Sequence, residues 1–442
     1  MLGAYDSFGR VDRRQRMALP VADALAILRG PADGAGLTLL PFGNGRSYGD
    51  SCHNDGGALV PMRAPSADMS LDPESGLLDA AAGVTLEDII ALVAPHGFFL
   101  PVTPGTRHVT LGGAIANDVH GKNHHLRGTF GCHVASFELL RSDGETHHCS
   151  ATSNPALFAA TIGGMGLTGI ITRARLKLMR VSSLDIDEEV VPFAHLDEYF
   201  DRAEQADLRN EYAVAWVDQL AAGRSAGRGV LITGNHADNG NRKVETRASR
   251  LAVPFDLPFS ALNRLSLSAF NEVYFTAKSR KHGVHRASYG SFFYPLDGVG
   301  HWNRLYGPRG LFQHQSVIPF EAARRTIPLL LQASRDAGHA SFLTVLKRFG
   351  DVGSPGLLSF PRPGYTLTMD FPNRGARTLA LLARLDELTI DAGGRVNPYK
   401  DQRMSPATFK AGFPSWSELE TWRDPGFSSN FWQRAALNSP HS

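Results

Sequence analysis

Only three of the 442 residues are cysteine, Cys52, Cys132 and Cys149, and no two of them form a C-x-x-C pair. An odd, scattered set argues against a disulfide framework and a zinc ribbon, and fits a reducing compartment. Excess charge is also missing: 45 Lys and Arg against 43 Asp and Glu leave a net +2, too little to make nucleic acid the main partner. No window offers the roughly 18 uninterrupted apolar residues of a membrane-spanning helix. The N-terminal MLGAYDSFGRVDRRQRM has no apolar run after its basic residues, so it does not read as a secretory signal. These absences leave an enzyme or binding protein on the cytoplasmic side, with surface attachment to a membrane still open.

What is present is glycine, 45 residues, many of them crowded into the first 170. The length predicts two or three domains, with two as the working number. PVADALAILRGP (20–31) reads as a short amphipathic helix ended by Gly30-Pro31, and LTLLPFG as a buried strand entering a glycine-rich turn. GALVPM, LLDAAAGV and LEDIIALVAPHG follow as strand, strand and helix, and HVASFELLRSDGET as a hairpin turning at Asp143-Gly144. PALFAATIGGMGLTGIITRARLKLM reads as a helix, glycines and a strand. Near residue 184 the texture changes to longer charged helices, which places a second domain at 184–394 after a first at 1–183. The aromatic-rich segment 395–442 is too short to stand alone and is expected to pack back on the first domain. Residues 235–258 are the expected mobile loop. Beyond them Phe259, Leu262, Leu265, Ala269, Phe270 and Val273 fall at helical spacing, followed by Lys278, Arg280, Lys281 and Arg286. Base rates favour a core-facing helix with a solvated basic end. The other reading is a helix resting on an anionic membrane or a lipid tail.

Two stretches concentrate the chemistry: PFGNGRSYGDS (41–51) and VTPGTRHVTLGGAIANDVHGKNHH (102–125), with GGMGLTG (163–169) as a third cluster. Glycine lets successive backbone N–H groups converge on a pyrophosphate. The spacing is neither the Rossmann G-x-G-x-x-G nor a Walker A loop. Tight turns are the alternative at any one of these clusters. VHGKNHH (119–125) raises a zinc reading through His120, His124 and His125, but adjacent histidines suit no usual tetrahedral spacing, so no metal is expected.

Taken together, GRSYGD, PGTRHVTLGGAIANDVHGKNHH, FGCHVASFELLRSDGE, ATIGGMGLTGII, FQHQSVIP, FLTVLKRFG and YKDQR resemble the flavoprotein oxidases of the vanillyl-alcohol oxidase type. Within them the resemblance is to the members that oxidise a polyprenylphosphoryl ribose, and it covers about Phe8 to Arg434. It implies an α+β, two-domain PCMH-type FAD-binding fold with an inserted α+β substrate domain built on an antiparallel sheet. FAD would be held by Gly43, Asn44, Gly45, Arg46, Ser47 and Tyr48 of the first loop, and by Pro104, Gly105, Thr106, Val109, Gly112, Gly113, Ala116, Asn117, His120 and Gly121 of the second. Gly169, Ile170 and Tyr399 complete the implied cofactor set. Relatives that tether the flavin carry a histidine in the first loop where Arg46 and Asp50 stand here, which implies non-covalent FAD.

The implied reaction is hydride transfer from a secondary alcohol to flavin N5 with loss of the hydroxyl proton. The resemblance gives Lys400 the proton-handling role, as base or as alkoxide stabiliser, and places His120 and Tyr48 beside it as catalytic candidates. Lys347, Gln313, Gln315, Trp216, Thr366, Thr368 and Asn397 are the implied substrate contacts. For Tyr48, Tyr399 and Trp216 a core position is equally open. Some members of the family carry a cysteine where Thr368 stands and an asparagine where Thr366 stands, which puts the sugar contacts in doubt. The expected partners are a lipid-linked sugar phosphate, an NAD-dependent short-chain reductase that completes an epimerisation to the arabinose form, and a membrane surface. The competing readings are an FAD-dependent oxidase of a soluble polyol or aldonolactone, and a flavin-binding subunit without turnover.

Overall fold

The computed structural model describes residues 2–29, 36–245, 251–281 and 283–437. The expected helix stop at Gly30-Pro31 and part of the expected loop at 235–258, residues 246–250, lie outside them. The fold is α+β. Among the described residues two antiparallel sheets dominate. The smaller runs Met69–Asp72, Leu77–Ala81, Ile170–Lys177, Val134–Leu140, Thr146–Ser150. The larger runs Gly283–Ala287, Ile186–Phe193, Gly229–His236, Tyr212–Val217, Thr344–Phe349, Gly364–Pro372, Leu311–Ile318, Arg395–Val396. Leu39–Phe42 pairs in parallel with Ala58–Pro61 and delivers the chain into the first glycine loop.

The smaller sheet packs with the helix Leu86–Val93 and the short helix Leu111–Ala116 around Leu78, Ile89, Ile90, Phe98, Leu111 and Phe137. Thr85 caps the first of these helices through a reciprocal capping box with Asp88, and Thr110 caps the second by accepting from the Gly113 N–H. That second cap fixes where the GGAIA segment begins, directly behind the second glycine loop.

In the larger sheet the period-two alternation of side chains separates two environments. Phe312, Leu346, Leu367, Met369 and Phe371 point into a core closed by the helices Leu196–Arg209, Phe320–Asp336 and Ala376–Asp391. The opposite face carries Gln313, Gln315, Lys347, Thr366, Thr368 and Asp370, which the ladders bring side by side: Gln313 pairs with Asp370, Gln315 with Thr368, and Lys347 with Thr366. The acidic DIDEEVV (185–191), where the second segment begins, lies largely in an interior strand of this sheet, Ile186–Phe193, and the charged helix Leu196–Arg209 follows it.

The chain after 395 forms three short helices, Pro406–Gly412, Trp416–Trp422 and Asn430–Ala435. It is stitched to the first loop: the Asp50 N–H donates to Asp401 O (3.2 Å) and the Asn430 N–H to His53 O (2.8 Å). Arg434 pairs with both Asp50 (3.0 Å) and Asp401 (3.1 Å).

The helix Arg264–Ser279 corrects the core-facing expectation. Its buried positions are Leu267 and Asn271, whereas Leu265 and Val273 are 84% and 69% exposed. Asn271 is drawn inward because its amide donates to the buried Asp218 carboxylate (2.7 Å). No described helix is long and apolar enough to cross a membrane.

Candidate active site

The glycine loops and the polar face of the larger sheet enclose a cleft of about 1050 Å³. Residues 43–48, Pro104, Gly105, Thr106, Val109, Gly112, Gly113, Ala116, Asn117, His120, Gly121, Gly169 and Tyr399 all line it. Lys400, Lys347, Gln313, Gln315, Trp216, Thr368 and Asn397 line it from the sheet side. Two expected contacts do not reach it. Ile170 is fully buried among Leu39, Val60 and Phe427, and strand alternation puts Ile171 on the cleft instead. Thr366 lies behind the wall, where its hydroxyl accepts from the Gln315 amide (3.0 Å). Tyr399 contributes wall, but its hydroxyl is spent on Gly163 O and Leu358 O inside the core.

The cleft fits FAD on the chemistry of what lines it. Among the described residues, the backbone N–H groups of 43–49 and of Gly105 and Thr106 have no protein acceptor. Two rows of free amide donors facing one concavity are what a pyrophosphate neutralises. A Cβ on Gly105 would meet nothing within 4 Å, so that loop stands open to a ligand. Half-buried Arg46 adds a guanidinium whose buried Nε lacks a partner, and desolvation lowers its pKa. Gln313 Oε1, on the sheet side of the cleft, is likewise buried without a partner. Groups of this kind carry a desolvation cost unless a bound molecule satisfies them.

VHGKNHH resolves into four different environments. His124 packs on Phe349 at 4.6 Å. His125 turns to Asn210 O (2.9 Å) and Asp207 (3.6 Å). Lys122 is half-buried, donates to Phe292 O, and is pushed down to about 8, chiefly by desolvation. His120 stands on the cleft wall between Phe349 and Phe360, and Lys122 reaches the cleft beside it.

The protons around His120 follow from one backbone group. The Tyr399 N–H donates to Asn397 Oδ1 (3.0 Å), which turns the Asn397 amide N–H onto Gln315 Oε1 (2.9 Å). The Gln315 NH₂ therefore faces Thr366 and His120, and donates to His120 Nε2 (3.1 Å). A neutral imidazole that accepts at Nε2 carries its proton on Nδ1. Nδ1 faces Lys347 Nζ at 3.3 Å, so the N–H donates and Lys347 must offer a lone pair, as a neutral amine. Burial and the charges of Lys400 and Lys122 push Lys347 down to about 7. Burial, followed by the neighbouring Lys347 and Lys400, holds His120 well below its ordinary range. Lys347 also donates to Gly121 O (3.2 Å), which fixes it across the cleft.

Lys400 forms a second centre. Its Nζ lies 5.7 Å from the centre of the Tyr48 ring, and burial pushes it down to about 8 against the pull of Asp370. Asp370 is buried and raised to about 7 by desolvation, while the Gln313 amide donates to it (2.5 Å). Asp370 was not among the expected residues, although the alternation of Thr366, Thr368 and Asp370 in a strand otherwise made of core residues was the signal for it.

A family model described as an FAD binding domain matches residues 21–150. The decaprenylphosphoryl-β-D-ribose oxidase of Mycolicibacterium smegmatis is 35% identical across 97% of this chain and 96% of its own length. Cytokinin dehydrogenase 2 of Arabidopsis thaliana is 30% identical across 36% of this chain and 31% of its own length. Fold and cleft thus define an FAD-dependent oxidoreductase with a PCMH-type FAD-binding domain. Within that class the chain belongs to the decaprenylphosphoryl-β-D-ribose oxidase family.

Proposed function

We propose that this enzyme oxidises the 2′-hydroxyl of a polyprenylphosphoryl-β-D-ribose to the 2′-keto sugar. The observation that carries the reading is the near full-length similarity to the M. smegmatis oxidase, and the cleft geometry supports it. Bound FAD supplies the hydride acceptor. The chain's own task is to hold the sugar and remove the hydroxyl proton. Lys400, with a pKa near 8, has an accessible amine form at neutral pH and takes that proton, and the neighbouring Asp370 then holds the resulting ammonium. The Lys347 amine, aimed by His120, orients the sugar together with Gln315 and Gln313, and Trp216 and Thr368 complete the wall. Tyr48 holds the far side of Lys400.

The larger sheet and its helices act as the substrate domain. The flavin is bound non-covalently, since the first loop (43–52) contains no histidine; acid precipitation should leave all the yellow colour in the supernatant. The keto product is the natural substrate of an NAD-dependent reductase, which would deliver the arabinose epimer. The polyprenyl chain requires the enzyme to work at a membrane surface. Mass spectrometry of the product tests the reading: a sugar two hydrogens lighter from lipid-linked ribose supports it, and turnover of a free polyol alone replaces it with polyol oxidation.

A further inference from the structure

The helix Arg264–Ser279 is built the wrong way round for a protein that meets only water. Leu265, Ala269 and Val273 stand four residues apart, which places them on one stripe, and all three are exposed. The segment leading into the helix adds Phe255 and Phe259, 63% and 67% exposed. These aromatics are presented rather than loose. Asp256, next to Phe255, accepts two hydrogen bonds from Arg10 (2.7 and 2.6 Å), and Arg304 donates to Val253 O and Pro254 O. Large exposed apolar surface of this kind marks an interaction face.

Charge and position identify the occupant. At the C-terminal end of the stripe Arg280 and Lys281 are exposed and have no ion pair among the described residues, while the nearby acidic side chains Glu272 and Glu188 are paired with Arg228 (2.6 Å) and Lys278 (3.6 Å). An apolar stripe with unpaired cations beside it matches the boundary between acyl chains and anionic headgroups. The same helix also forms part of the cleft: Tyr274 packs on Trp216 at 4.7 Å, and both line it. One side of the helix thus bounds the site while the other is bare.

We propose that the stripe Leu265–Ala269–Val273, with Phe255, Phe259 and the Arg280–Lys281 end, docks on an anionic bilayer and brings the mouth of the cleft to the lipid surface. The choice of a bilayer rests on the lipid-linked substrate proposed above. The test is sedimentation of the flavin-loaded enzyme with vesicles of phosphatidylglycerol and phosphatidylcholine, against phosphatidylcholine alone. The enzyme is expected to sediment with the anionic vesicles, and Leu265→Asp with Val273→Asp should lower the bound fraction about tenfold. Arg280→Glu with Lys281→Glu should abolish the preference for anionic lipid. Flavin content and bleaching by a short-chain, soluble substrate analogue should stay unchanged in both variants. An enzyme that stays in the supernatant, or variants that bind vesicles as the parent does, would overturn the proposal. So would a dimer in light scattering that the Leu265→Asp, Val273→Asp variant dissolves, since a second copy would then cover the face. Vesicle binding without bleaching by the analogue would sustain the docking face and reject the substrate reading instead.

Discussion

Lys400 and Lys347 enter the same cleft and burial lowers the pKa of both, but their partners differ, and so do the effects of removing them. Lys400 faces Asp370, whose negative charge holds the lysine's proton on. If Lys400 accepts the hydroxyl proton, kcat/KM rises with pH through about 8. Asp370→Asn removes the opposing pull, so the rising limb should move to lower pH. A limb that stays in place would show that another group titrates. Lys400→Met should lower kcat by about 10²–10⁴-fold and leave the protein yellow.

Lys347 gives a stability prediction with a definite sign. Its folded pKa is near 7 and its ordinary value 10.5, so between those values the unfolded chain binds more protons and stability rises with pH. The penalty is complete below about 7 and gone above the ordinary value. Lys347→Met, which keeps the stem and loses the charge, should therefore raise Tm at pH 6 by about 2 °C or more, allowing for the lost Gly121 hydrogen bond. The gain should shrink as pH approaches 10, and thermal melts across that range read it directly.

Elements were legible in the sequence where pattern and environment agree. The hairpin turning at Asp143-Gly144 and the helix Leu86–Val93 with its Thr85 cap have the turn and capping chemistry their positions demand. Ile186–Phe193 was harder, because three consecutive acidic residues, Asp187 to Glu189, stand in an interior strand: Glu188 is buried and paired with Lys278 and His285 (3.1 Å). The helix Arg264–Ser279 was misplaced for a related reason. Periodicity finds an apolar stripe but cannot say whether protein, water or lipid lies against it. Ile170 failed by one residue, and in a strand one residue reverses the face. The first loop itself carries a sharper constraint. A Cβ on Gly49 would lie 1.6 Å from Asp401 O, a backbone atom that cannot step aside. Gly49→Ala should cost about 3 kcal/mol or more and strip flavin from the purified protein, read as a lower Tm and a lower ratio of visible to ultraviolet absorbance.

Across the whole molecule, long-range closure makes the site, and composition does not report it. The Leu39 N–H donates to Gly426 O (2.8 Å), the Ser428 N–H returns to Leu39 O (3.0 Å), and Arg434 bridges Asp50 and Asp401. The chain's last segment thereby locks the first glycine loop against the turn that carries Lys400. Motif spacing in the sequence placed the loops and Lys400 by family resemblance. It could not show that Asp370 joins Lys400, or that a backbone N–H at Tyr399 sets the tautomer of His120, because those relations arise only when two ends of the chain and one sheet face meet. The most direct test is the visible spectrum of the purified enzyme under anaerobic conditions, with short-chain polyprenylphosphoryl ribose in one cuvette and a simple polyol in another. Bleaching of the flavin band by the lipid-linked ribose alone is the predicted result; bleaching by the polyol alone, or by neither, would contradict the account.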